Sequence, residues 1–220
     1  MVLRVNLPER ARATYTENDG RLVTPSAVRN APAIIELVKR FAPISGQALE
    51  IASGTGQHIV ELASVFSKLS WQPTELDPKR IESIKLWINS AKLNNIKEPI
   101  KLDVSEDGWS KRSDSYDFVI LINLLHLISW KEVRTSIRGI SEVLNFGGLA
   151  LFYGPFMRNG QLTSANDREF HDELVVSDPE IGYKDDLEII KHCKMVGLKH
   201  KETVQMPANN ISFVLEKVVN

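Results

Sequence analysis

The 220-residue sequence lacks three features that would place it in a special class of protein. It has one cysteine, Cys193, so no disulfide can form within the chain, and a reducing compartment is expected. Its 27 basic and 28 acidic residues leave a net charge of −1, without the basic excess usual in nucleic-acid binding proteins. No apolar run is long enough to span a membrane. We therefore expect a cytoplasmic protein with neither a nucleic-acid nor a membrane partner.

Two nucleotide-binding motifs are also missing. The pattern G-x-x-x-x-G-K-[ST] does not occur, which excludes a phosphate loop of that kind. A dinucleotide fingerprint that begins at Gly54 and Gly56 would need its third glycine where Ile59 stands. A nicotinamide-dependent oxidoreductase is therefore an alternative with less support than the one developed below.

Strand and helix patterns alternate along most of the chain. A hydrophobic content of 43% and a charged content of 25% are ordinary for one globular domain, here residues 1–220. Residues 1–30 read as a loose N-terminal arm. Short apolar segments predict strands, and helical spacing of apolar residues separates them. The predicted strands are 48–52, 71–76, 98–104, 116–122, 149–153, 198–204 and 210–218. Such alternation predicts an α/β fold with a doubly wound, mostly parallel sheet.

The glycine-rich turn after the first predicted strand is the clearest candidate for ligand binding. Glycines at 54 and 56 let the backbone turn sharply and approach a ligand, and the following helix start supplies unpaired N–H groups. Ligands in such sheets bind beyond the carboxyl ends of the strands. Glu75 follows the second strand, 19 residues after Gly56, near the spacing at which an acid meets ribose hydroxyls. Asp77 suits a helix N-cap better, since Pro78 follows it.

The segment from Glu50 to Gly56, E-I-A-S-G-T-G, resembles the first motif of class I S-adenosylmethionine-dependent methyltransferases. Ala52 stands where that superfamily more often has glycine. The resemblance implies a Rossmann-like, seven-stranded sheet with an antiparallel last strand. It also implies an S-adenosylmethionine site, with S-adenosylhomocysteine as product and Asp103 near the adenine. The expected cofactor residues are Glu50, Ala52, Ser53, Gly54, Thr55, Gly56, His58, Glu75, Leu76, Asp103, Val104 and Asn123.

A narrower resemblance covers nearly the whole chain. Segments 25–32, 49–58, 71–73, 123–126, 153–156, 178–179 and 206–210 are similar to the methyltransferase-like protein twenty-six family, which has no firmly assigned substrate. Two positions depart from that pattern. Val28 replaces a residue that is usually acidic, and Ser129 stands where proline is expected before Trp130.

The methyl acceptor is expected to lie across the pocket from the glycine turn. His126, just past the fourth strand, is a candidate general base, with a capping or core-edge histidine as the alternative. Tyr153 could present its hydroxyl to a substrate or pack in a turn. The segment 154–180 is expected to form a lid or substrate wall. The further substrate candidates are Arg29, Asn30, Phe156, Asn166 and Asn209.

Three functional hypotheses follow from these residues. The first is methyl transfer to an unidentified acceptor, with a small polar molecule favoured over a protein. The second is a protein that binds S-adenosylmethionine without catalysing transfer, because no catalytic residue is firmly assigned. The third is the nicotinamide-dependent oxidoreductase. None of the five histidines pairs with Cys, Asp or Glu at a metal-binding spacing, so no metal is expected. The oligomeric state is left open.

Overall fold

A seven-stranded sheet forms the centre of the computed structural model, which describes residues 6–219. Its strands are β3 (Gly46–Ile51), β4 (Leu69–Glu75), β5 (Ile100–Lys101), β6 (Tyr116–Ile122), β7 (Leu144–Pro155), β8 (Leu198–Gln205) and β9 (Asn210–Lys217). They lie in the order β5-β4-β3-β6-β7-β9-β8. All neighbours are parallel except β9, which is antiparallel to both β7 and β8. The predicted fold class is therefore confirmed.

Helices cover both faces of this sheet. They are α2 (Pro25–Phe41), α3 (Gln57–Val65), α4 (Pro78–Ala91), α5 (Trp130–Val143), α6 (Ala165–Ser177) and α7 (Asp186–Met195). Successive side chains of a strand point to opposite faces, so each central strand feeds two cores. Leu49 and Val119 pack on the side of α5 and α7, while Ala48 and Phe118 pack on the side of α2, α3 and α4. Within residues 6–219, none of the helices has the length and apolar character of a membrane span.

The chain order of the strands reverses beside β3. From β3 the chain runs outward through β4 to β5, and it then returns to the other side of β3 as β6. A cleft opens at such a switch point, beyond the carboxyl ends of the two strands, because the connecting helices leave on opposite faces. The turns that follow Ile51 and Ile122 therefore meet at this place.

From residue 6 onward the N-terminal arm is folded, in contrast to the loose arm expected from the sequence. A short helix α1 (Glu9–Arg12) precedes a hairpin of β1 (Tyr15–Thr16) and β2 (Leu22–Val23). Trp87 of α4 donates from Nε1 to the Leu22 carbonyl at 3.0 Å, and Ser83 Oγ accepts from the Leu22 amide at 2.9 Å. The Arg21 guanidinium stacks 4.3 Å from the Trp87 ring centre. Residues 1–5 lie outside the described chain.

Several boundaries differ from the sequence prediction. Helix α2 begins at Pro25 and contains Pro32 within its length. The third strand, predicted over 98–104, is reduced to Ile100–Lys101. Strand β7 begins at Leu144, which pairs with Tyr116 of β6. A register shift follows, and regular pairing with β6 resumes at Leu149. Ser129 is the N-cap of α5 and forms a reciprocal capping box with Glu132, so a serine there starts the helix effectively.

Candidate functional site

The turn after β3 depends on left-handed backbone geometry. Ala52, Gly54 and Gly56 have φ angles of +53°, +60° and +97°. A side chain at Gly56 would lie 2.8 Å from the Ile84 backbone, so α4 packs too closely for any other residue. Ala52 adopts the left-handed region without being glycine, at a cost of about 1 kcal/mol. The turn is thus locally strained and held by its surroundings.

Glu75 holds this turn against the end of β4. Its carboxylate accepts hydrogen bonds from the backbone amides of Gly54 at 2.9 Å, Leu76 at 2.7 Å and Asp77 at 3.1 Å. The Ser53 amide adds a bond to the Thr74 carbonyl at 2.7 Å. Glu75 is only 4% exposed. Glu75, which the sequence predicts to bind ribose hydroxyls, therefore already orders the loop. Only the lone pairs of its carboxylate that the loop does not use are left to accept from a bound molecule. Asp77 caps α4 through the Lys79 amide, as expected.

Glu50 is a buried carboxyl at the end of β3. It is 1% exposed, and its Oε2 atom has no hydrogen-bond partner. Burial raises the pKa of Glu50 to about 8; the Ser53 side chain opposes that rise, and the charge of Glu75 adds to it. Glu50 is therefore largely protonated at neutral pH in the free protein. A cation placed beside it would favour the charged form.

A cavity of about 130 Å³ brings the glycine turn and the end of β6 together. Of the predicted cofactor residues, it is lined by Glu50, Ala52, Ser53, Gly54, Thr55, His58 and Asn123. The amide of Asn123, whose φ is +57°, donates to the Tyr153 carbonyl at 2.9 Å, which fixes the end of β6 against β7. Burial lowers the pKa of His58 to about 4, so its ring is neutral.

The remaining predicted cofactor residues lie outside the lining of this cavity. Glu75 and Gly56 support the turn from behind. Asp103 accepts from the Ser105 amide at 2.9 Å and from its hydroxyl at 2.7 Å. Val104 is buried in the core beneath α5, and Leu76 is half-buried beyond β4.

The N-terminal arm covers the cavity, which sequence reasoning missed. Residues Ala11, Arg12, Ala13 and Thr14 line it, together with Ser26 and Ala27 from the start of α2. Arg10 anchors the arm to α6 through an ion pair of 2.6 Å with Glu169. Pockets for drug-sized ligands measure roughly 300–1,000 Å³. At about 130 Å³, the cavity is smaller than that range.

Two arginines of the cavity were also missed, namely Arg12 of the arm and Arg80 in the first turn of α4. Their guanidinium groups can bind a carboxylate or phosphate. Nothing in the local sequence distinguishes them from other surface arginines, because the arm's path over the turn is a tertiary feature.

His126 occupies a separate aromatic cluster. It lies in the short 3-10 turn Leu125–Leu127, and the cavity lining includes Leu124 and Leu127 but not His126. Its ring centre is 5.8 Å from that of Phe170 and 6.2 Å from that of Tyr183. Burial, followed by the charge of buried Lys184, lowers the pKa of His126 to about 3.

Tyr153 and Asn30 meet beneath the start of α2. Tyr153 is 1% exposed, and burial raises the pKa of its hydroxyl. The Asn30 side chain lies beside that hydroxyl and opposes the rise, yet the two groups do not reach hydrogen-bonding geometry. Arg29, whose charge also reaches Tyr153, is exposed on α2.

The other predicted substrate residues are engaged elsewhere. Phe156 is buried against Phe213, with ring centres 4.8 Å apart. Asn166 is exposed in the first turn of α6. Asn209 donates to Asp167 at 3.1 Å. Burial raises the pKa of Asp167, but bonds from Thr163, Ser164, Asn209 and Tyr183 outweigh that effect and hold it below its usual range. The insert 154–180, which contains α6, is thus tied to the turn between β8 and β9 through Asn209.

A second cavity, of about 250 Å³, lies between the turn Trp109–Arg112 and α5. None of the predicted site residues lines it. It forms where the Trp109 ring packs against Gly139, at which any side chain would collide with the indole. Its charged side chains are of both signs, and Arg138 lies 3.8 Å from Asp107. In the part of the chain that the structure describes, no group of three or more His, Cys, Asp or Glu side chains is placed to hold a metal ion.

The fold and the glycine turn define the class I methyltransferase fold, and solved structures of that fold match the chain. An O-methyltransferase family protein from Burkholderia thailandensis superposes with a TM-score of 0.75 at 16% identity, over 89% of this chain and 58% of its own. Human N-acetylserotonin methyltransferase in complex with S-adenosylmethionine gives 0.68 at 13%, over 86% and 55%. CalO1, a methyltransferase in calicheamicin biosynthesis with bound S-adenosylhomocysteine, gives 0.70 at 13%, over 88% and 55%. The chain spans little more than half the length of these proteins.

The family is shown by the sequence itself. The profile of the family described as "Protein of unknown function (DUF938)" matches residues 21–217. The chain belongs to this family. Its structural neighbours are methyltransferases, at a sequence identity that establishes a shared fold.

Proposed function

We propose that this protein transfers a methyl group from S-adenosylmethionine to a small polar acceptor. The observation that carries the proposal is Glu50, which lines a cavity beneath a glycine turn at the switch point of the sheet and whose buried Oε2 has no hydrogen-bond partner. A cationic group is the natural partner of such a carboxyl. The bound forms of neighbouring structures support the same ligand, since one holds S-adenosylmethionine and another its demethylated product.

The residues that would hold the cofactor fit its parts. Glu50 would accept from the ammonium of the amino-acid end, with the amides of the glycine turn around it. Arg12 or Arg80 would bind its carboxylate. From the sequence resemblance, Glu75 would accept from ribose hydroxyls through lone pairs not used by the loop, and Asp103, Val104 and Leu76 would lie near the adenine, although none of the four lines the present cavity. When bound, the cofactor supplies an activated methyl group on a sulfonium.

The protein's own tasks are then alignment of the acceptor and exclusion of water. The arm over the cavity, anchored to α6 by Arg10 and Glu169, provides the exclusion. Its closeness to the glycine turn favours a small acceptor over a protein, because a macromolecule would have to displace it. Tyr153 would contact the acceptor only if its side chain, which is 1% exposed and outside the cavity lining, became accessible. His126 is neutral, as a general base must be, but its ring would have to leave its aromatic cluster.

A second candidate function is binding of S-adenosylmethionine without transfer. The position of His126 outside the cavity lining favours it, because the described cavity then has no histidine base except His58, whose pKa is about 4. The structure adds no support for a nicotinamide-dependent oxidoreductase. The position of the third fingerprint glycine is occupied by Ile59, which is fully buried in α3. Membership of the methyltransferase-like protein twenty-six family and a cytoplasmic location belong to the proposal as well.

The test combines binding and transfer. Calorimetric titration with S-adenosylmethionine should give a micromolar Kd, and incubation with methyl-labelled cofactor and fractionated cell extract should label a small molecule. Binding with no labelled product in any fraction would favour the non-catalytic function. Saturable binding of NAD in place of S-adenosylmethionine would overturn the proposal. His126→Asn tests the general base. Loss of a general base should lower the rate of methyl transfer roughly 100-fold or more at an unchanged cofactor Kd. A smaller loss would show that His126 is not the base.

A further inference from the structure

Two buried side chains join the end of the N-terminal arm to the glycine turn. Ser83 Oγ accepts from the Leu22 amide at 2.9 Å and donates to the Thr55 carbonyl at 2.7 Å. Gln57 Oε1 accepts from the Thr24 amide at 2.6 Å and from the Thr55 hydroxyl at 2.9 Å. Both side chains are buried. We call Ser83 and Gln57 the relay, because each of them binds the arm with one hydrogen bond and the turn with another.

The relay connects two walls of the cavity beneath the glycine turn. Thr55 lines that cavity from the turn, and Thr24 lines it from the end of the arm. Ser83 lies on α4, which packs so closely on the turn that a side chain at Gly56 would lie 2.8 Å from the backbone of Ile84. A change in the shape of the turn therefore moves the atoms to which the relay binds.

The arm is the part of this assembly that can open by itself. Of residues 6–23, only Val23 is buried. Segments with few buried apolar contacts open locally at a lower free energy than the core of a protein. The glycine turn is held more firmly, since its Ser53 amide donates to the Thr74 carbonyl inside the sheet at 2.7 Å. Opening of the arm would break the relay's bonds to the arm and leave its bonds to the turn.

The bonds of the relay depend on one another. The Leu22 amide, the Ser83 hydroxyl and the Thr55 carbonyl form a chain of hydrogen bonds, and each bond in such a chain polarises and strengthens the next. An ordered turn thus favours the closed arm. Because a coupling free energy between two sites is reciprocal, the closed arm favours the ordered turn to the same extent.

We propose that Ser83 and Gln57 are positioning residues that couple closure of the N-terminal arm to the conformation of the glycine turn. A methyl donor bound in the turn would then close the arm over itself. The inference rests on the proposed function for the identity of this ligand, S-adenosylmethionine. The coupling itself is a property of the free protein and can be tested without any ligand.

The test in the free protein disturbs the turn and observes the arm. Glu75→Gln weakens the hydrogen bond that Glu75 accepts from the Gly54 amide. Amide hydrogen exchange of the full chain, followed by NMR, reports on the arm through the Leu22 and Thr24 amides that the relay binds. Both amides should exchange at least about fivefold faster in Glu75→Gln than in the wild type.

Ser141→Ala is the matched control for loss of stability elsewhere. Ser141 is a buried helical serine, as Ser83 is, and it also makes two bonds: its Oγ donates to the Val196 carbonyl at 2.5 Å and accepts from Lys217 Nζ at 2.7 Å. These partners belong to neither the arm nor the glycine turn, so the two exchange rates should stay at their wild-type values. Equal rates in Glu75→Gln and Ser141→Ala would overturn the inference.

The test with ligand uses S-adenosylmethionine. Its addition should slow exchange of the Leu22 and Thr24 amides in the wild type at least about fivefold, and Ser83→Ala should weaken its Kd by a similar factor. Loss of stability alone would leave the Kd of the folded protein unchanged, as expected for Ser141→Ala. Gln57→Met, which also removes a relay oxygen, replaces Ser83→Ala if that variant does not fold.

The two tests separate failure of the coupling from failure of the proposed function. A wild-type Kd in both relay variants would overturn the coupling while leaving the methyl-donor site in place. No binding of S-adenosylmethionine by the folded wild type would count against the proposed function, and the exchange rates of the free protein would still decide whether the relay couples the arm to the turn.

Discussion

The carboxylate of Glu75, at the end of β4, accepts a 2.9 Å hydrogen bond from the backbone amide of Gly54, in the turn after β3. The same carboxylate binds the amides of Leu76 and Asp77. One buried side chain therefore fixes the shape of the turn that we propose to bind the methyl donor, and its loss should affect both stability and ligand binding.

The first prediction concerns Glu75→Gln. The amide keeps one oxygen acceptor but presents N–H groups to backbone N–H groups, so we expect the free energy of unfolding to fall by about 1–3 kcal/mol. Cofactor affinity should fall with it, because the turn loses its order. Urea unfolding and calorimetric titration measure the two effects. Glu82→Gln is the control, since it removes only an exposed ion pair with Lys85, and such pairs contribute little to stability. Equal effects in both variants would contradict the role of Glu75.

The second prediction concerns the pH dependence of stability through Glu50. Its pKa of about 8 in the folded protein exceeds the ordinary value of about 4.3, so the folded state binds the extra proton between these values. Its contribution to stability is therefore complete below about pH 4 and is lost as pH rises toward 8, with a slope of up to about 1.4 kcal/mol per pH unit. Glu50→Gln should remove this loss and be more stable than the wild type at pH 8. A Gln variant that is less stable at pH 8 would contradict it.

The same residue predicts proton release on cofactor binding. A cationic ammonium beside Glu50 favours its charged form, so binding should release a proton at pH 7 and tighten as pH rises toward 8. Titrations in two buffers of different ionisation enthalpy count the protons. Glu50→Gln should abolish the release and weaken binding, despite its greater stability. Unaltered affinity in that variant would place the ammonium elsewhere.

The third prediction concerns His126 and acid. The folded pKa of about 3 lies below the ordinary value of about 6.5, so the unfolded state binds the additional proton between them. Stability that His126 contributes is present above about pH 6.5 and is lost as pH falls toward 3. His126→Phe, which suits the cluster with Phe170 and Tyr183, should lose less stability between pH 6.5 and 4.5. Urea midpoints at the two pH values provide the comparison, and parallel losses would show that His126 is not the titrating group.

The fourth prediction concerns the arm. Arg10 and Glu169 are both about half exposed, so Arg10→Ala should leave the free energy of unfolding nearly unchanged. If their ion pair holds the arm over the cavity, release of bound cofactor should become several-fold faster, which stopped-flow fluorescence can follow. Lys39→Ala serves as control, because it breaks a similar ion pair with Glu36 far along α2. Equal dissociation rates in the two variants would show that Arg10 does not hold the arm over the cavity.

The central strands and the glycine turn were accessible from sequence because their signals are local. The strand Tyr116–Ile122 is almost wholly apolar, and the Asp77-Pro78 pair marks the start of α4. The arm was not accessible in this way. Its hairpin is held by Trp87 and Ser83, 65 and 61 residues away from Leu22, and no local pattern encodes such contacts.

The residues of the candidate site also separate into those with a local sequence signal and those placed by contacts between distant parts of the chain. Glu50 and the turn from Ala52 to Thr55 could be predicted, since the motif is contiguous and ends a strand. Arg12 could not, because it lines the cavity only through the path that the N-terminal arm takes over the turn. The environment of His126 was equally hidden, since Phe170 and Tyr183 reach it from an insert whose packing the sequence does not specify.

The most direct test of the central claim is calorimetric titration of the full chain with S-adenosylmethionine at pH 8, beside its Glu50→Gln variant. The proposal predicts one site per chain with a micromolar Kd for the wild type, and binding at least tenfold weaker for the variant. No binding by a folded wild-type protein, or equal binding by both proteins, would contradict the assignment of this turn as the methyl-donor site.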